Sequence, residues 1–274
     1  MATLPPGPQP LSAAESHRAR QIAESFGSDA PRYDRARPRY PQALADRILA
    51  ASPGRDVLDV GIGTGISALP FDAAGCRVLG VEVDPRMAEV ATRRGFEVEV
   101  AKFEDWDPRG RTFDVVVAGQ AWHWIDPVAG AAKAAQVLRG DGRLAVFWNV
   151  FEFPPDLRDE VAAAYRRVVP ESPFGPGGLS GGASAYSALL AKSVDGMDAT
   201  GAFGKPERWR LDWEHPYTRD ELLDLIPTAG GHNQFPPAKL EALLEAIGDA
   251  VDRVGGTFSM RYATLAVTAA RDPR

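Results

Sequence analysis

The chain has 274 residues, of which 45% are hydrophobic and 25% are charged, a balance that predicts a globular fold with a substantial core. A formal net charge of −6 and the lack of a lysine-rich or arginine-rich stretch disfavour nucleic-acid and membrane-surface partners. The single cysteine, Cys76, excludes an internal disulfide, and no apolar run reaches the roughly 20 residues of a membrane span, so we expect a cytoplasmic protein with small-molecule ligands.

The first half of the chain predicts alternating strands and helices. A proline-rich leader and a helix are expected within residues 1–25, and residues 26–41 (FGSDAPRYDRARPRYP) are expected to be irregular. Strands are predicted at 56–60, 77–83, 97–101, 113–119 and 143–149, with helices at 42–51, from the glycine loop to 74, at 85–94 and at 127–138. This βαβ alternation predicts an α/β fold with a doubly wound, mostly parallel sheet.

The second half of the chain departs from this alternation. Residues 151–206 are predicted to form a helical or loop cap inserted after the fifth strand, with a mobile glycine- and proline-rich loop at 170–184. A strand at 208–214, a helix from Thr218 with Glu221 in the capping-box position, a helix at 237–254 and a strand at 257–269 follow. We therefore expect four parts: 1–25, a core at 26–150, the cap at 151–206, and 207–274 completing a seven-stranded sheet.

A glycine-rich loop follows the first predicted strand, in the stretch DVLDVGIGTGIS at residues 56–67. Ligands of open parallel sheets bind beyond the carboxyl ends of the strands, where Gly61, Gly63 and Gly65 leave room for close approach to the backbone. Glu82 ends the second strand at the spacing of an acid that holds ribose hydroxyls. The pattern predicts a site for an adenosine group.

The residues around this loop distinguish between adenosine-containing ligands. The dinucleotide fingerprint requires glycine or alanine where this chain has Ile66, and a pyrophosphate would be repelled by Asp59. S-adenosylmethionine carries adenosine without phosphate and adds an ammonium and a sulfonium that an acid attracts. The sequence therefore predicts S-adenosylmethionine as cofactor and S-adenosylhomocysteine as product.

Three segments resemble the class I S-adenosylmethionine-dependent methyltransferases: VLDVGIGTG, VLGVEVDPRM and FDVVVAGQAWHWID. Within that family, FGSDAPRYDRARPRYP and AWHW are similar to the small-molecule branch that includes trans-aconitate methyltransferase. The resemblance extends from about residue 26 to about residue 150, is weaker towards the end of the chain and does not cover residues 151–206. It implies the Rossmann-like methyltransferase fold.

The resemblance also implies a set of cofactor contacts. Asp59 and the three glycines would frame the methionine part, and Glu82 would hold the ribose. The family often has an aspartate where this chain has Lys102, so Glu104 is the nearest substitute for the contact with the adenine amino group. Further implied contacts are Val83 and Met87 beside adenine, Gln120 near the sulfonium, and Tyr33 and Arg37 closing over the cofactor.

His123 is the candidate catalytic residue, because an imidazole beyond a strand end could take a proton from the methyl acceptor. The alternative is a packed histidine that shapes the pocket. Four aromatic side chains are expected to contact an acceptor with an apolar part: Trp122, Trp124, Trp148 and Phe151. The histidines and the cysteine lack metal-ligand spacing, so no metal is expected.

The predicted reaction is methyl transfer to an oxygen, including a carboxylate oxygen, or to a nitrogen of a small metabolite. A base is optional, because a carboxylate acceptor arrives ionised. Methyltransferases of amide and nucleobase nitrogens carry an Asn/Asp-Pro-Pro-aromatic signature after the fourth strand. This chain has GQAWHW at that place, which disfavours DNA and RNA as substrates. Two alternatives remain open: a non-catalytic module that binds S-adenosylmethionine, and a nicotinamide-dependent oxidoreductase.

Overall fold

The structure is a computed structural model that describes residues 26–170, 182–229, 231–232 and 235–273. Between 182 and 185 only the backbone is described. The expected helix within the first 25 residues and most of the loop at 170–184 lie outside the described residues. Within the described ranges, no helix is both long enough and apolar enough to cross a membrane.

A seven-stranded sheet forms the centre of the molecule, as predicted. The strands follow the order β3-β2-β1-β4-β5-β7-β6, and all run parallel except β7, which is antiparallel to both neighbours. In chain order they are β1 (Asp56–Val60), β2 (Arg77–Glu82), β3 (Glu97–Val100), β4 (Phe113–Gly119), β5 (Leu138–Glu152), β6 (Glu207–Thr218) and β7 (Thr257–Ala270). The strand order reverses between β1 and β4, which is where open α/β sheets form their ligand crevice.

Helices flank the sheet on both faces. In the described part of the chain they are α1 (Ala30–Ala36), α2 (Gln42–Ala50), α3 (Leu69–Ala73), α4 (Pro85–Arg93), α5 (Pro127–Val137), α6 (Pro155–Val168), α7 (Gly182–Thr200), α8 (Arg219–Leu225) and α9 (Pro237–Arg253). Short 3₁₀ turns occur at Phe26–Asp29, Trp122–Trp124 and Ile226–Thr228. The capping box that was expected at Thr218 and Glu221 is present at the start of α8.

Two local predictions are wrong. Residues 30–36 form α1 instead of an irregular segment, because the Asp29 carboxylate accepts a hydrogen bond from the Arg32 backbone N–H and a proline fits the first helical turn. The loop predicted to extend to residue 184 gives way to a helix that already begins at Gly182.

Strand β5 is longer than the predicted 143–149, because its last ten residues pair continuously with β7. Neighbouring residues of the sheet face opposite layers. Val57, Val115 and Phe147 pack towards α2 and α3, whereas Leu58 and Val116 belong to the cluster on the other face. These two packed layers hold the carboxyl ends of β1 and β4 in fixed positions.

The expected cap, residues 151–206, contributes helices to two parts of the fold. Helix α6 packs on α9, and α7 packs on α5 and on strands β5 and β7. Helix α7 therefore covers the sheet much as the other flanking helices do. A role of residues 151–206 in covering the ligand edge stays a prediction.

Candidate active site

A pocket lies at the carboxyl ends of β1 and β4, at the crevice that the strand order predicts. It brings together five of the predicted cofactor residues: Tyr33, Arg37, Gly61, Gly63 and Gln120. Residues that sequence reasoning missed complete the lining, among them Tyr40, Ser67 and Asn149. Asn149 had a detectable signal, since it is a polar residue within the apolar run LAVFWNV. It is buried, as are Tyr40 and Ser67.

The glycine loop owes its shape to backbone conformations that favour glycine. Gly61, Gly63 and Gly65 have φ angles of +68°, +58° and +92°. A Cβ on Gly65 would lie 2.8 Å from the Phe96 ring, so this glycine is also required for packing. A Cβ on Gly63 would meet only the Met87 methyl group, at 3.5 Å. The backbone at Gly63 is therefore open for the approach of a ligand.

Asp59 is fully buried beside the pocket. Its Oδ2 accepts a hydrogen bond of 2.6 Å from the hydroxyl of Ser67, a pocket residue, whereas Oδ1 has no hydrogen-bond partner in the described ranges. Burial raises the pKa of Asp59 to about 7; the Ser67 hydrogen bond opposes this rise and the charge of Glu82 adds to it. A buried carboxylate oxygen without a donor is costly. Asp59 therefore suits a cationic donor such as an ammonium.

Glu82 is also buried, and it anchors the glycine loop. Its Oε2 accepts from the Gly63 backbone N–H at 2.8 Å, and its Oε1 accepts from the N–H groups of Val83 and Asp84, both at 2.9 Å. Burial raises the pKa of Glu82, and these three hydrogen bonds counteract the rise. Because each carboxylate oxygen accepts about two hydrogen bonds, Oε2 keeps capacity for one more donor, such as a ribose hydroxyl.

The residues expected around adenine are not all at the pocket. Met87 is buried against the glycine loop, and Val83 is 38% exposed. Glu104 accepts a hydrogen bond of 3.3 Å from the Asp126 backbone N–H at the start of α5 and is not among the residues lining the pocket. Its contact with adenine, like those of Val83 and Met87, stays a prediction.

Arg37 and Tyr33 face the pocket from the end of α1. The guanidinium lies over the Tyr33 ring, 4.9 Å from its centroid, and Nη2 donates to the Thr228 carbonyl at 2.5 Å. The Arg37 Nε–H is buried and has no acceptor within the part of the chain that the structure describes. It is therefore a cationic donor that a ligand carboxylate would satisfy.

Gln120 immediately follows β4. Its backbone is left-handed, with a φ of +54°, which is uncommon for a residue other than glycine. Its backbone N–H donates to the Phe147 carbonyl at 2.9 Å, and its side-chain amide donates to the Asn149 carbonyl at 3.1 Å. Strained backbone of this kind persists where the surrounding structure enforces it and is frequent at functional sites.

The candidate base and the four candidate acceptor contacts are not among the described residues that line the pocket. Trp148 is fully buried and donates its indole N–H to the His123 Nδ1 at 3.2 Å. Trp122 is buried below α5, where its ring approaches Gly130. The geometry does not support substrate contacts by Trp122 and Trp148, because both side chains fill the core.

The other two predicted acceptor contacts occupy different surroundings. Trp124 packs on the His123 ring, with 4.4 Å between centroids, and 6.3 Å from the ring of Phe26. Phe151 packs on Tyr262, with 6.1 Å between ring centroids, and is not among the residues that line the pocket. A role of Trp124 or Phe151 in acceptor binding stays a prediction.

Comparison with known proteins points to one chemistry. Residues 58–146 match the family model described as a methyltransferase domain. An uncharacterized methyltransferase of Mycobacterium tuberculosis is 38% identical over 133 residues, covering 47% of this chain and 54% of that protein. An uncharacterized methyltransferase-like protein of Schizosaccharomyces pombe is 23% identical over 266 residues, covering 91% of this chain and 96% of that protein.

The fold has a counterpart among solved structures. A candidate type II methyltransferase from Anaeromyxobacter dehalogenans superposes with a TM-score of 0.65 and 23% identity, covering 87% of this chain and 99% of that one. The chain spans about half the length of the Mycobacterium relative that it matches. Together with the pocket geometry, these findings identify residues 58–146 as an S-adenosylmethionine-dependent methyltransferase domain with a Rossmann-like fold.

Proposed function

We propose that the whole protein transfers a methyl group from S-adenosylmethionine to an oxygen or nitrogen of a small-molecule metabolite. One observation carries this proposal: beside the pocket, a buried acceptor and a buried donor, Asp59 Oδ1 and Arg37 Nε, find no partner among the described residues. Their charges complement the ammonium and the carboxylate of the methionine part of the cofactor. Gly63 leaves the backbone open between them, and Glu82 keeps one acceptor site for the ribose.

The transfer of the methyl group requires the protein mainly to bind and align the cofactor and the acceptor. The bound cofactor supplies a methyl group on a sulfonium, so the acceptor lone pair forms the new bond to carbon while the C–S bond breaks and its electron pair stays on sulfur. The protein residues bind and orient the two partners, which lowers the barrier of such a step by roughly 7–11 kcal/mol. The strained turn at Gln120 lies at the end of β4, next to Gly119 in the pocket wall, and is suited to hold this alignment.

The rival functions fit the site less well. A nicotinamide dinucleotide would bring its pyrophosphate near the buried carboxylate of Asp59, and Ile66, where its fingerprint needs a small residue, is packed in the core. A module that binds S-adenosylmethionine without turnover would have the same pocket. Turnover therefore separates the module from the enzyme.

The proposal extends to the small-molecule branch that includes trans-aconitate methyltransferase. Its support is the position of Tyr33 and Arg37, which the branch resemblance assigns to the cofactor and which line the pocket. The acidic net charge favours a small acceptor over a nucleic acid, and a cytoplasmic location is part of the same proposal.

The test is a mass-detected methylation screen with S-adenosylmethionine over carboxylates, phenols and amines. The proposal expects S-adenosylhomocysteine to form in proportion to one methylated acceptor. The Asp59→Asn variant should lose this activity in proportion to its loss of cofactor affinity, whereas the matched control Asp72→Asn, at an exposed residue, should keep it. Tight binding of S-adenosylmethionine with no turnover on any acceptor would instead favour the non-catalytic module.

A further inference from the structure

Trp148 restricts the protonation of the neighbouring His123. An indole N–H can only donate a hydrogen bond, so the imidazole nitrogen that faces it must present a lone pair. That nitrogen is Nδ1, at 3.2 Å. In a neutral imidazole the proton then resides on Nε2. Trp148 is fully buried in β5, so this donor has a fixed position.

The electrostatic surroundings favour the same neutral form. Burial lowers the pKa of His123 to about 4, and among the described residues no neighbouring charge contributes to this shift. His123 as a whole is exposed to solvent, which weakens this effect, so the direction of the shift and not its size supports the neutral form. The hydrogen bond from Trp148 acts in the same direction, because a proton on Nδ1 would oppose the indole N–H.

The pair lies close to the pocket along the chain. His123 follows Gln120, which lines the pocket, by one short turn; Trp148 immediately precedes the pocket residue Asn149 in β5, with its own side chain in the cluster on the other face of the sheet from Phe147. The hydrogen bond from the Gln120 side chain to the Asn149 carbonyl holds the two segments together. Because Nδ1 is engaged with Trp148, Nε2–H is the imidazole group left for a ligand.

We propose that His123 donates a hydrogen bond to the methyl acceptor through Nε2–H and is not its general base, and that Trp148 is the positioning residue that fixes this tautomer. The inference rests on the proposed methyl transfer. A nitrogen that already carries a proton cannot take one from the acceptor. The site therefore selects an acceptor oxyanion, which keeps a lone pair for the methyl group while it accepts this hydrogen bond, over hydroxyls that must first be deprotonated.

The tautomer can be read without any acceptor. Long-range ¹H–¹⁵N spectra of the full chain with ¹⁵N-labelled histidine, loaded with S-adenosylhomocysteine, distinguish Nε2–H from Nδ1–H, and the His123→Gln variant assigns the signal. We expect His123 to remain the neutral Nε2–H form between pH 5 and 8. An Nδ1–H tautomer, or titration near pH 6.5, would overturn the inference.

Two variants test the role of Trp148. Trp148→Phe should remove the tautomer preference and move the titration of His123 towards its ordinary range. Trp209→Phe is the matched control, because its indole donates to Glu207 at 3.1 Å within the edge strand β6, and it should leave the His123 signal unchanged. If Trp148→Phe does not fold, the spectrum of the unaltered protein still decides the question.

Turnover provides a second readout on whichever acceptor is methylated. Glutamine places an N–H near the position of Nε2 but cannot act as a base, so His123→Gln should keep kcat within about tenfold, whereas His123→Ala should lose more. A loss beyond about 100-fold in both variants would identify a base and refute the donor role. Binding of S-adenosylhomocysteine tests the proposed function separately, since a protein that binds it but shows the Nδ1–H tautomer contradicts only this inference.

Discussion

Replacement of Asp59 by asparagine should stabilise the protein without ligand and weaken its hold on the cofactor. The side chain is fully buried, one oxygen is hydrogen-bonded to Ser67, and the other has no partner. Asparagine keeps the shape and the acceptor for Ser67 but removes the ionisable group. The same substitution therefore acts with opposite sign on stability and on binding.

The size of both effects follows from the pKa of Asp59, which burial raises from 3.8 to about 7. A carboxyl group with a raised folded-state pKa contributes most stability below its unfolded pKa, and that contribution is lost as the pH rises through about 7. The difference between the unfolded and folded pKa values of Asp59 corresponds to a loss of about 4 kcal/mol in the free energy of unfolding at pH 8. The buried amide N–H that asparagine introduces costs about 1–3 kcal/mol, so we expect a net gain of about 1–3 kcal/mol.

The stability assay is urea unfolding of the protein without ligand at pH 8 and at pH 4.5. Asp59→Asn should be more stable than the unaltered protein at pH 8, and the gain should shrink at pH 4.5, where the unaltered carboxyl is protonated. Asp72→Asn is the matched control, because Asp72 is exposed and the charge change is the same. Equal stability of Asp59→Asn and the unaltered protein at pH 8 would refute the burial argument.

The binding assay is calorimetry with S-adenosylhomocysteine. Loss of a charge-assisted hydrogen bond to the ligand ammonium should weaken binding roughly 10- to 150-fold in Asp59→Asn and leave Asp72→Asn unaffected. Binding to the unaltered protein should also weaken below about pH 7 as Asp59 takes up its proton, and this pH dependence should disappear in Asp59→Asn. Unchanged affinity in Asp59→Asn would remove Asp59 from the cofactor site.

Three further substitutions test other parts of the pocket. Arg37→Lys removes the Nε–H that lacks an acceptor among the described residues. In calorimetry it should weaken the binding of S-adenosylhomocysteine about tenfold and leave the binding of adenosine unchanged. Equal losses for both ligands would contradict the contact with the methionine carboxylate. Glu82→Gln should weaken both ligands about tenfold, and the deficit should vanish for 2′,3′-dideoxyadenosine if the ribose contact is real. Gln120→Gly relieves a positive φ and should change the free energy of unfolding by less than about 1–2 kcal/mol, whereas kcat should fall; unaltered kcat would show that the strained turn is dispensable.

Most of the sheet could be predicted from the sequence because its strands are short, apolar and separated by clear turn signals. Glycines and an acid at strand ends located the crevice, because the topology of parallel sheets brings those ends together. The extent of β5 could not be predicted, since its last residues are held by pairing with β7, a partner more than a hundred residues away. Helix α1 was not predicted because the prolines of residues 26–41 suggested an irregular segment. Pro31, the one proline within the helix, occupies its first turn, where proline is tolerated.

The site was predictable where a residue's role follows from its position in the chain. Asp59, Gly63 and Glu82 have fixed places relative to strand ends. Gly63 lines the pocket, and Asp59 and Glu82 are hydrogen-bonded to Ser67 and Gly63 of its lining. The aromatic residues were harder to place. Trp122 and Trp148 are aromatic residues of the kind expected in the wall of a substrate pocket. Packing against α5 and the sheet, which local sequence does not encode, buries both. The hydrogen bond from Trp148 to His123 likewise joins β5 to the turn after β4, a contact that local sequence does not reveal.

The central claim is that a buried acid beside an open glycine loop selects a cationic nucleoside over a phosphorylated one. Calorimetry of the full chain at pH 8 with S-adenosylmethionine, S-adenosylhomocysteine and oxidised nicotinamide adenine dinucleotide tests it most directly. The account predicts saturable binding of both adenosyl sulfur compounds and no heat of binding from the dinucleotide at millimolar concentration. Binding of the dinucleotide alone, or silence with all three ligands, would contradict it.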